Sequence, residues 1–276
     1  MEKFQLSLFF KIIGIGSASG LVYLNEKLYI ISDSSSYLYE YNIENEKLNK
    51  IALVDSAKEN IPKKDKLDFE AITQKGENLF LFGSGSTENR NRVFKYKPKS
   101  GKTTEKDVTD IYLKIKKEFN ISDDEFNIEG AILSDGSIYL FQRGNGISGK
   151  NGIIYANDDS ENPEFKFIPF YLPKIKNIHA TFTDAILVDD TIYFLAAAEN
   201  SNSTYLDGEV MGSIIGTIDL KTMKLLNFIQ ISDKHKFEGL TLYKKTVTQI
   251  EFLLCEDTDS ELLESDIYKL VLDRIQ

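Results

Sequence analysis

The sequence is poor in the residues on which many activities depend. It has one cysteine, Cys255, two histidines, His179 and His235, no tryptophan, and only four arginines, Arg90, Arg92, Arg143 and Arg274. A single thiol cannot close an internal disulfide and excludes a cysteine-rich zinc site. Two histidines leave little for a histidine-rich metal centre. No apolar run reaches the 18 or more residues of a membrane-spanning helix. Lys and Arg together number 33 against 43 Asp and Glu, a net charge of −10. An acidic chain lacks the cationic footprint of a nucleic-acid binder, so no nucleic-acid partner and no membrane span are expected. P-loop, dinucleotide fingerprint, nucleophile elbow and zinc spacing are all missing.

What the chain does have is 42% hydrophobic residues over 276 positions, ample for a core. Near the N-terminus, Phe4 to Ile15 precedes the small residues Ser17-Ala18-Ser19 and could pass for a leader. Lys11 interrupts the run, however, and Gln5 and Ser7 alternate with Phe4, Leu6 and Leu8. Alternation favours a strand. With no leader the expected location is the cytoplasm; a leader already removed would make it periplasmic or secreted.

The sequence repeats itself. Five segments begin alike, at Ser19-Gly20-Leu21-Val22, Glu70-Ala71-Ile72-Thr73, Glu129-Gly130-Ala131-Ile132, Asp184-Ala185-Ile186-Leu187 and Glu238-Gly239-Leu240-Thr241, with spacings of 51, 59, 55 and 54 residues. Each start leads through a short polar turn into an aromatic-aliphatic run such as Leu79-Phe80-Leu81-Phe82, which reads as a hairpin. Third strands follow, and fourth strands are visible at 48–54, 165–171 and 225–231. The second unit differs: Val108, Ile111, Tyr112, Ile115 and Phe119 have helical spacing, with Asp107 placed to cap a short helix.

Periods of this length indicate a solenoid or propeller. Five units of about four strands predict an all-β, five-bladed β-propeller forming one domain over residues 1–276. The fifth unit stops after its third strand near Leu272, and the extra strand at 4–13 would complete it. That pairing closes the ring and removes an exposed edge.

Four unit starts carry a carboxylate: Glu70, Glu129, Asp184 and Glu238. The innermost strands of a propeller line its channel, so these side chains are expected to form a ring. Carboxylates so placed repel unless compensated. A hard cation such as Ca²⁺ would compensate them through oxygen ligands; so would arginine pairing, or backbone N–H groups of the neighbouring blade. Direct acid/base catalysis by the ring is a fourth arrangement. A second polar layer follows the second strand of each unit and includes Asp33, Arg90, Arg92, Arg143, Asn145, Glu199, Glu256 and Asp257. Three of the four arginines fall there. They would either neutralise the ring or hold an anionic small-molecule ligand, for which the planar guanidinium is suited. The long segment Glu199 to Ser213, with Tyr205 and Asp207, is expected to wall or cover the site. The two histidines read as surface or core residues of entry loops.

As a set, Asp68-Phe69-Glu70-Ala71, Gly83-Ser84-Gly85-Ser86, Asn127-Ile128-Glu129-Gly130, Gln142-Arg143-Gly144-Asn145, Asp207-Gly208-Glu209-Val210-Met211-Gly212-Ser213 and Phe237-Glu238-Gly239-Leu240 resemble a family of bacterial, Bacteroidetes-type propeller proteins of uncharacterised function. The resemblance spans about residues 17–272 and implies the fold without an activity. More remotely, the Glu-Gly-Leu starts are similar to those of esterase-like phytase and calcium-dependent lactonase propellers, which implies a calcium site and hydrolysis of phosphoesters or lactones. The other function in view is a non-catalytic scaffold that holds a protein or glycan around a structural salt-bridge ring.

Overall fold

The computed structural model describes residues 3–134, 136–157, 163–200, 208–257 and 262–273. Five four-stranded antiparallel sheets make up the architecture, together with one two-stranded hairpin. The N-terminal strand β1 (Phe4–Ile13) stands apart from the first blade, which consists of β2 (Ala18–Leu24), β3 (Lys27–Ser32), β4 (Tyr37–Asn42) and β5 (Lys47–Ala52). The second contains β6 (Phe69–Lys75), β7 (Asn78–Gly83), β8 (Arg92–Lys97) and β9 (Lys102–Asp107), followed by helix α1 (Thr109–Phe119). The third contains β10 (Ile128–Ser134), β11 (Ser137–Gln142), β12 (Gly152–Asn157) and β13 (Lys166–Pro169). After the hairpin β14 (Lys174–Ile175) and β15 (Ile178–His179) comes the fourth: β16 (Thr181–Val188), β17 (Thr191–Asn200), β18 (Glu209–Asp219) and β19 (Leu225–Ser232). The fifth has β20 (Phe237–Lys245), β21 (Gln249–Glu256) and β22 (Glu264–Asp273), and its outer strand is β1.

The first strands of the blades touch in a closed circuit: β2 with β6, β6 with β10, β10 with β16, β16 with β20, and β20 with β2. The five-bladed propeller is therefore the observed fold. Ring closure follows the expected route, since β1 runs antiparallel to β22 from Phe4 opposite Leu272 to Ile13 opposite Glu264. A bulge between Leu8 and Phe10 bends this edge strand, a device that discourages edge-to-edge pairing.

Alternation along the strands sends apolar side chains to both faces of each sheet, and the buried ones gather into five clusters, one per blade interface. Phe69, Leu79, Leu81 and Phe94 of the second blade pack with Val22, Tyr29, Ile31 and Leu38 of the first. Between the third and fourth blades the cluster includes Phe141, Ile153, Phe182 and Phe194. Each such side chain taken out of water contributes about 1.5–3 kcal/mol, so the interfaces dominate the stability of the ring.

Two local expectations need correction. Asp107 is not the cap residue of α1; that position is Val108, and Asp107 instead accepts the N–H of Thr109 at 2.8 Å from one residue earlier. The second unit also has a fourth strand, β9. Its sequence Lys-Thr-Thr-Glu-Lys-Asp is almost wholly exposed, so it carries no apolar alternation to announce it.

Candidate functional site

Every innermost strand is bulged at the same place. Its pairing with the second strand shifts between Ala18 and Gly20, Phe69 and Ala71, Ile128 and Gly130, Phe182 and Asp184, and Phe237 and Gly239. The extra residues are thus Ser19, Glu70, Glu129, Thr183 and Glu238. A bulge re-aims one side chain without breaking the flanking ladder, and here it does so five times around the channel. In each unit the bulged residue is flanked two positions earlier by a second polar residue: Ser17, Asp68, Asn127, Thr181 and Lys236. The residue between them is apolar and fully buried, as with Phe69, Phe182 and Phe237 at 0% exposure.

This register corrects the expected acidic ring. In the fourth blade Thr183, not Asp184, is equivalent to the glutamates. Ser19 and Thr183 do the same work: their hydroxyls donate to the carbonyls of Phe69 and Phe237 on the next blade, at 2.5 and 2.7 Å. Asp184 lies one residue on, at the position occupied elsewhere by Gly20, Ala71, Gly130 and Gly239. Its oxygens accept the N–H groups of Ala185 and Leu240, each at 2.7 Å. Burial pushes its carboxyl well above the ordinary carboxylate range, against those two donors. The ring therefore has three carboxylates and two hydroxyls.

Around it, two ion clusters meet. On the side of blades three to five, Arg143 places Nη1 2.9 Å from Glu129 Oε1 and Nη2 2.6 Å from Glu199 Oε2. Lys236 Nζ lies 2.9 Å from Glu238 Oε1, 3.7 Å from Asp257 Oδ2 and 3.9 Å from Glu199 Oε2. Asn127 Nδ2 donates to Glu129 Oε1 at 2.6 Å. Burial pushes the Glu199 carboxyl up, but Arg143, Lys236 and the Gly208 N–H outweigh it, and the net displacement is downward. Arg143 itself is driven upward because Glu129, Glu199 and Glu238 outweigh its burial.

On the side of blades one and two, Arg90 Nη1 donates to Asp68 Oδ2 and to Ser86 Oγ, both at 2.7 Å, and Nη2 donates to the Lys63 carbonyl at 2.7 Å. Ser84 Oγ donates to the same Asp68 oxygen at 2.6 Å. Lys66 pairs with Asp33 Oδ2. Oxygens of Asp33, Asp68 and Glu70 all lie within 4.8 Å of one another. Asp33 Oδ1 is buried with no hydrogen-bond partner. Burial, with Asp257 adding repulsion and Lys66 opposing, pushes the Asp33 carboxyl up to about 6. Glu70 makes no hydrogen bond among the described residues; burial and the charges of Asp68, Glu129, Glu238 and Asp33 drive its carboxyl well above the ordinary range. The ion pairs and mutual repulsions thus connect seven carboxylates, Asp33, Asp68, Glu70, Glu129, Glu199, Glu238 and Asp257, with four cations, Lys66, Arg90, Arg143 and Lys236.

Other expected residues lie elsewhere. Arg92 pairs with Glu105 at 3.3 Å and Asp107 at 3.1 Å on the outer strands of its own blade. Glu256 holds His235 Nδ1 at 2.8 Å and does not join the network directly. Asn145 Oδ1 is buried and without a partner. Tyr205, Asp207 and Arg274 fall outside the described residues. Asp68, Lys66 and Lys236 join the site although residue-type reasoning passed over them. The signal for two of them was present: Asp68-Phe69-Glu70 and Lys236-Phe237-Glu238 are polar-apolar-polar triplets at equivalent places, which puts both polar side chains on one face of a strand.

No functionally curated protein matches the sequence. Among solved structures, the ring is similar to glutaminyl cyclase of Myxococcus xanthus (TM-score 0.54, 10% identity, 97% of each chain). It is also similar to an exo-1,5-alpha-L-arabinanase from a bovine ruminal metagenomic library (TM-score 0.55, 9% identity, 95% of this chain and 97% of that one). A third likeness is to the major allergen Mala s 1 of Malassezia sympodialis (TM-score 0.53, 9% identity, 96% of each chain). Identities this low establish a shared fold and nothing about activity. The family model called "Family of unknown function (DUF6929)" matches residues 14–272, and the chain belongs to that family.

Proposed function

We propose that the channel mouth binds a divalent cation at Asp33, Asp68 and Glu70, and through it a small anionic ligand. The observation that carries this reading is the convergence of three carboxylate oxygens within 4.8 Å, one of them from a glutamate with no hydrogen-bond partner among the described residues. Two oxygens on opposite sides of a Ca²⁺ ion, each about 2.4 Å away, lie up to about 4.8 Å apart. Lys66 and Arg90 occupy the Oδ2 atoms of Asp33 and Asp68, leaving each residue a second oxygen. The unpartnered Asp33 Oδ1 and the mutual repulsion of Asp33, Asp68 and Glu70 also call for added positive charge, because buried charges without partners are costly. The guanidinium groups of Arg90 and Arg143 are already engaged by carboxylates and a carbonyl. An anionic ligand group would therefore be held by the cation rather than by arginine. The chemistry such a seat supports is metal-assisted hydrolysis of a phosphoester or lactone, in which the cation polarises the substrate oxygen and activates water.

The pairing of Arg90 and Arg143 with carboxylates favours a second reading, a structural ion network in a non-catalytic scaffold. Thermal melting separates the two. After EDTA treatment, Ca²⁺, Mg²⁺ or Mn²⁺ should raise the melting temperature of the native chain, by about 2.7 kcal/mol of added stability at a hundredfold excess over Kd. Glu70→Gln and Asp33→Asn should abolish that rise. Melting curves that no cation moves would leave the structural network standing.

A further inference from the structure

His235 and Glu256 sit one residue away from two members of the mouth network, Lys236 and Asp257. His235 Nδ1 lies 2.8 Å from both carboxylate oxygens of Glu256. A carboxylate only accepts, so Nδ1 carries the proton, and in the neutral ring the lone pair is on Nε2. The ring packs into an aromatic cluster: it stacks on Phe237 at 5.4 Å and 27° and leans on Tyr268 at 5.0 Å, and those two rings touch each other at 5.1 Å. Its backbone is fixed too. The His235 N–H donates to Ser232 Oγ at 3.0 Å, and its carbonyl accepts from Ser213 Oγ at 2.7 Å. The side chain keeps 21% of its surface, and Nε2 makes no hydrogen bond among the described residues. His179, in contrast, has its ring Nδ1 at 2.9 Å from the Leu172 carbonyl, in a hairpin remote in sequence from these groups.

An imidazole locked in one orientation by a carboxylate, with its basic nitrogen left open, is an arrangement suited to proton transfer. We propose that His235 and Glu256 form a proton-transfer dyad over the junction of blades four and five, beside the mouth network, with His235 Nε2 accepting the proton of an attacking water and Glu256 as the positioning residue. The substrate class is a small acyl ester or lactone. As the water oxygen bonds to the acyl carbon, Nε2 takes one water proton. The bond from that carbon to the leaving oxygen then breaks, the carboxylic product departs, and the proton on Nε2 passes to the leaving oxygen or to solvent. The dyad rests on reading the mouth as a ligand site, but not on the cation.

The test uses the full chain, p-nitrophenyl acetate as probe, and ¹⁵N-histidine NMR. The native protein should hydrolyse the probe faster than buffer. His235→Gln should lower that rate by at least about tenfold, a loss still short of the roughly 10²–10⁴-fold usual for general-base catalysis. Glu256→Gln should lower it severalfold with an unchanged melting curve and should mix the tautomers of His235, while His179→Gln leaves the rate unaltered. In the unmodified protein, which needs no variant to fold, neutral His235 should show the Nδ1–H tautomer. A native rate no higher than buffer, a His235→Gln rate within about twofold of native, or an Nε2–H tautomer would overturn the dyad. Failure of the cation seat is read separately, from melting curves on the same preparations.

Discussion

The Oδ2 oxygen of Asp184 accepts the backbone N–H of Leu240 on the next blade at 2.7 Å, and its Oδ1 accepts the N–H of Ala185 at the same distance. One side chain thus satisfies an amide on each side of the junction between β16 and β20. Removing it orphans two buried donors at about 1–3 kcal/mol each. Asp184→Ala should therefore cost about 2–6 kcal/mol in urea denaturation. Asp184→Asn keeps one acceptor and turns an amide donor toward the other N–H, so it should fall between. An alanine variant as stable as the native chain would show that water replaces both bonds.

The same residue has a pH signature. Burial holds its carboxyl well above the ordinary value, so the folded state binds that proton more tightly than the unfolded chain. Its contribution to stability is full below the ordinary carboxylate pKa and is lost as pH rises through the folded-state value. Asp184→Asn does not titrate there. The stability gap between native protein and Asp184→Asn should be wider at about pH 5 than at about pH 8. A gap that stays constant across that interval would mean that the carboxylate is ionised throughout.

Arg143 is the hinge of the ion network. It is 4% exposed and compensates Glu129 and Glu199 directly, with Glu238 at 3.7 Å. Arg143→Met would leave buried carboxylates facing one another and should destabilise by about 3–5 kcal/mol. Arg143→Lys restores the charge but not the two-pronged geometry, so it should recover part of the loss. Equal losses in the two variants would point to guanidinium shape, rather than charge, as what the site requires.

The fold was legible because the repeat is carried by burial. Each blade needs an inner strand, a turn and an apolar run, and these recur with nearly constant spacing. Closure by β1 was legible for the same reason, as a unit lacking one strand and a strand lacking a unit. The site was legible only in outline. Glu70, Glu129 and Glu238 could be aligned by eye, but in the fourth unit the acidic residue is displaced by one from the bulge, and a one-residue shift turns a side chain to the other face. Thr183 was hidden because a threonine inside a strand run is unremarkable. Lys66 comes from the irregular connection between β5 and β6, whose path no periodicity describes. Arg92 looked like Arg90 in the sequence, yet the 3-10 turn at Glu88–Arg90 and the start of β8 send them to different places.

Lys66 supplies the sharpest test of the cation seat. Its ammonium pairs with Asp33 beside the three converging carboxylates and is itself held upward in pKa by Asp33, Asp68 and Glu70, against its burial. It therefore acts as a resident monovalent cation that a divalent ion must share the seat with. Lys66→Met removes that charge while keeping the apolar stem. The metal-free variant should be less stable than the native chain, since another carboxylate loses its partner. Its rise in melting temperature on adding Ca²⁺ should be larger than that of the native protein, because the ion no longer works against a neighbouring positive charge. Calorimetric titration with Ca²⁺ gives the same comparison as a ratio of Kd values, with tighter binding expected in Lys66→Met. Equal or weaker binding in the variant would place the cation, if it binds at all, away from Asp33.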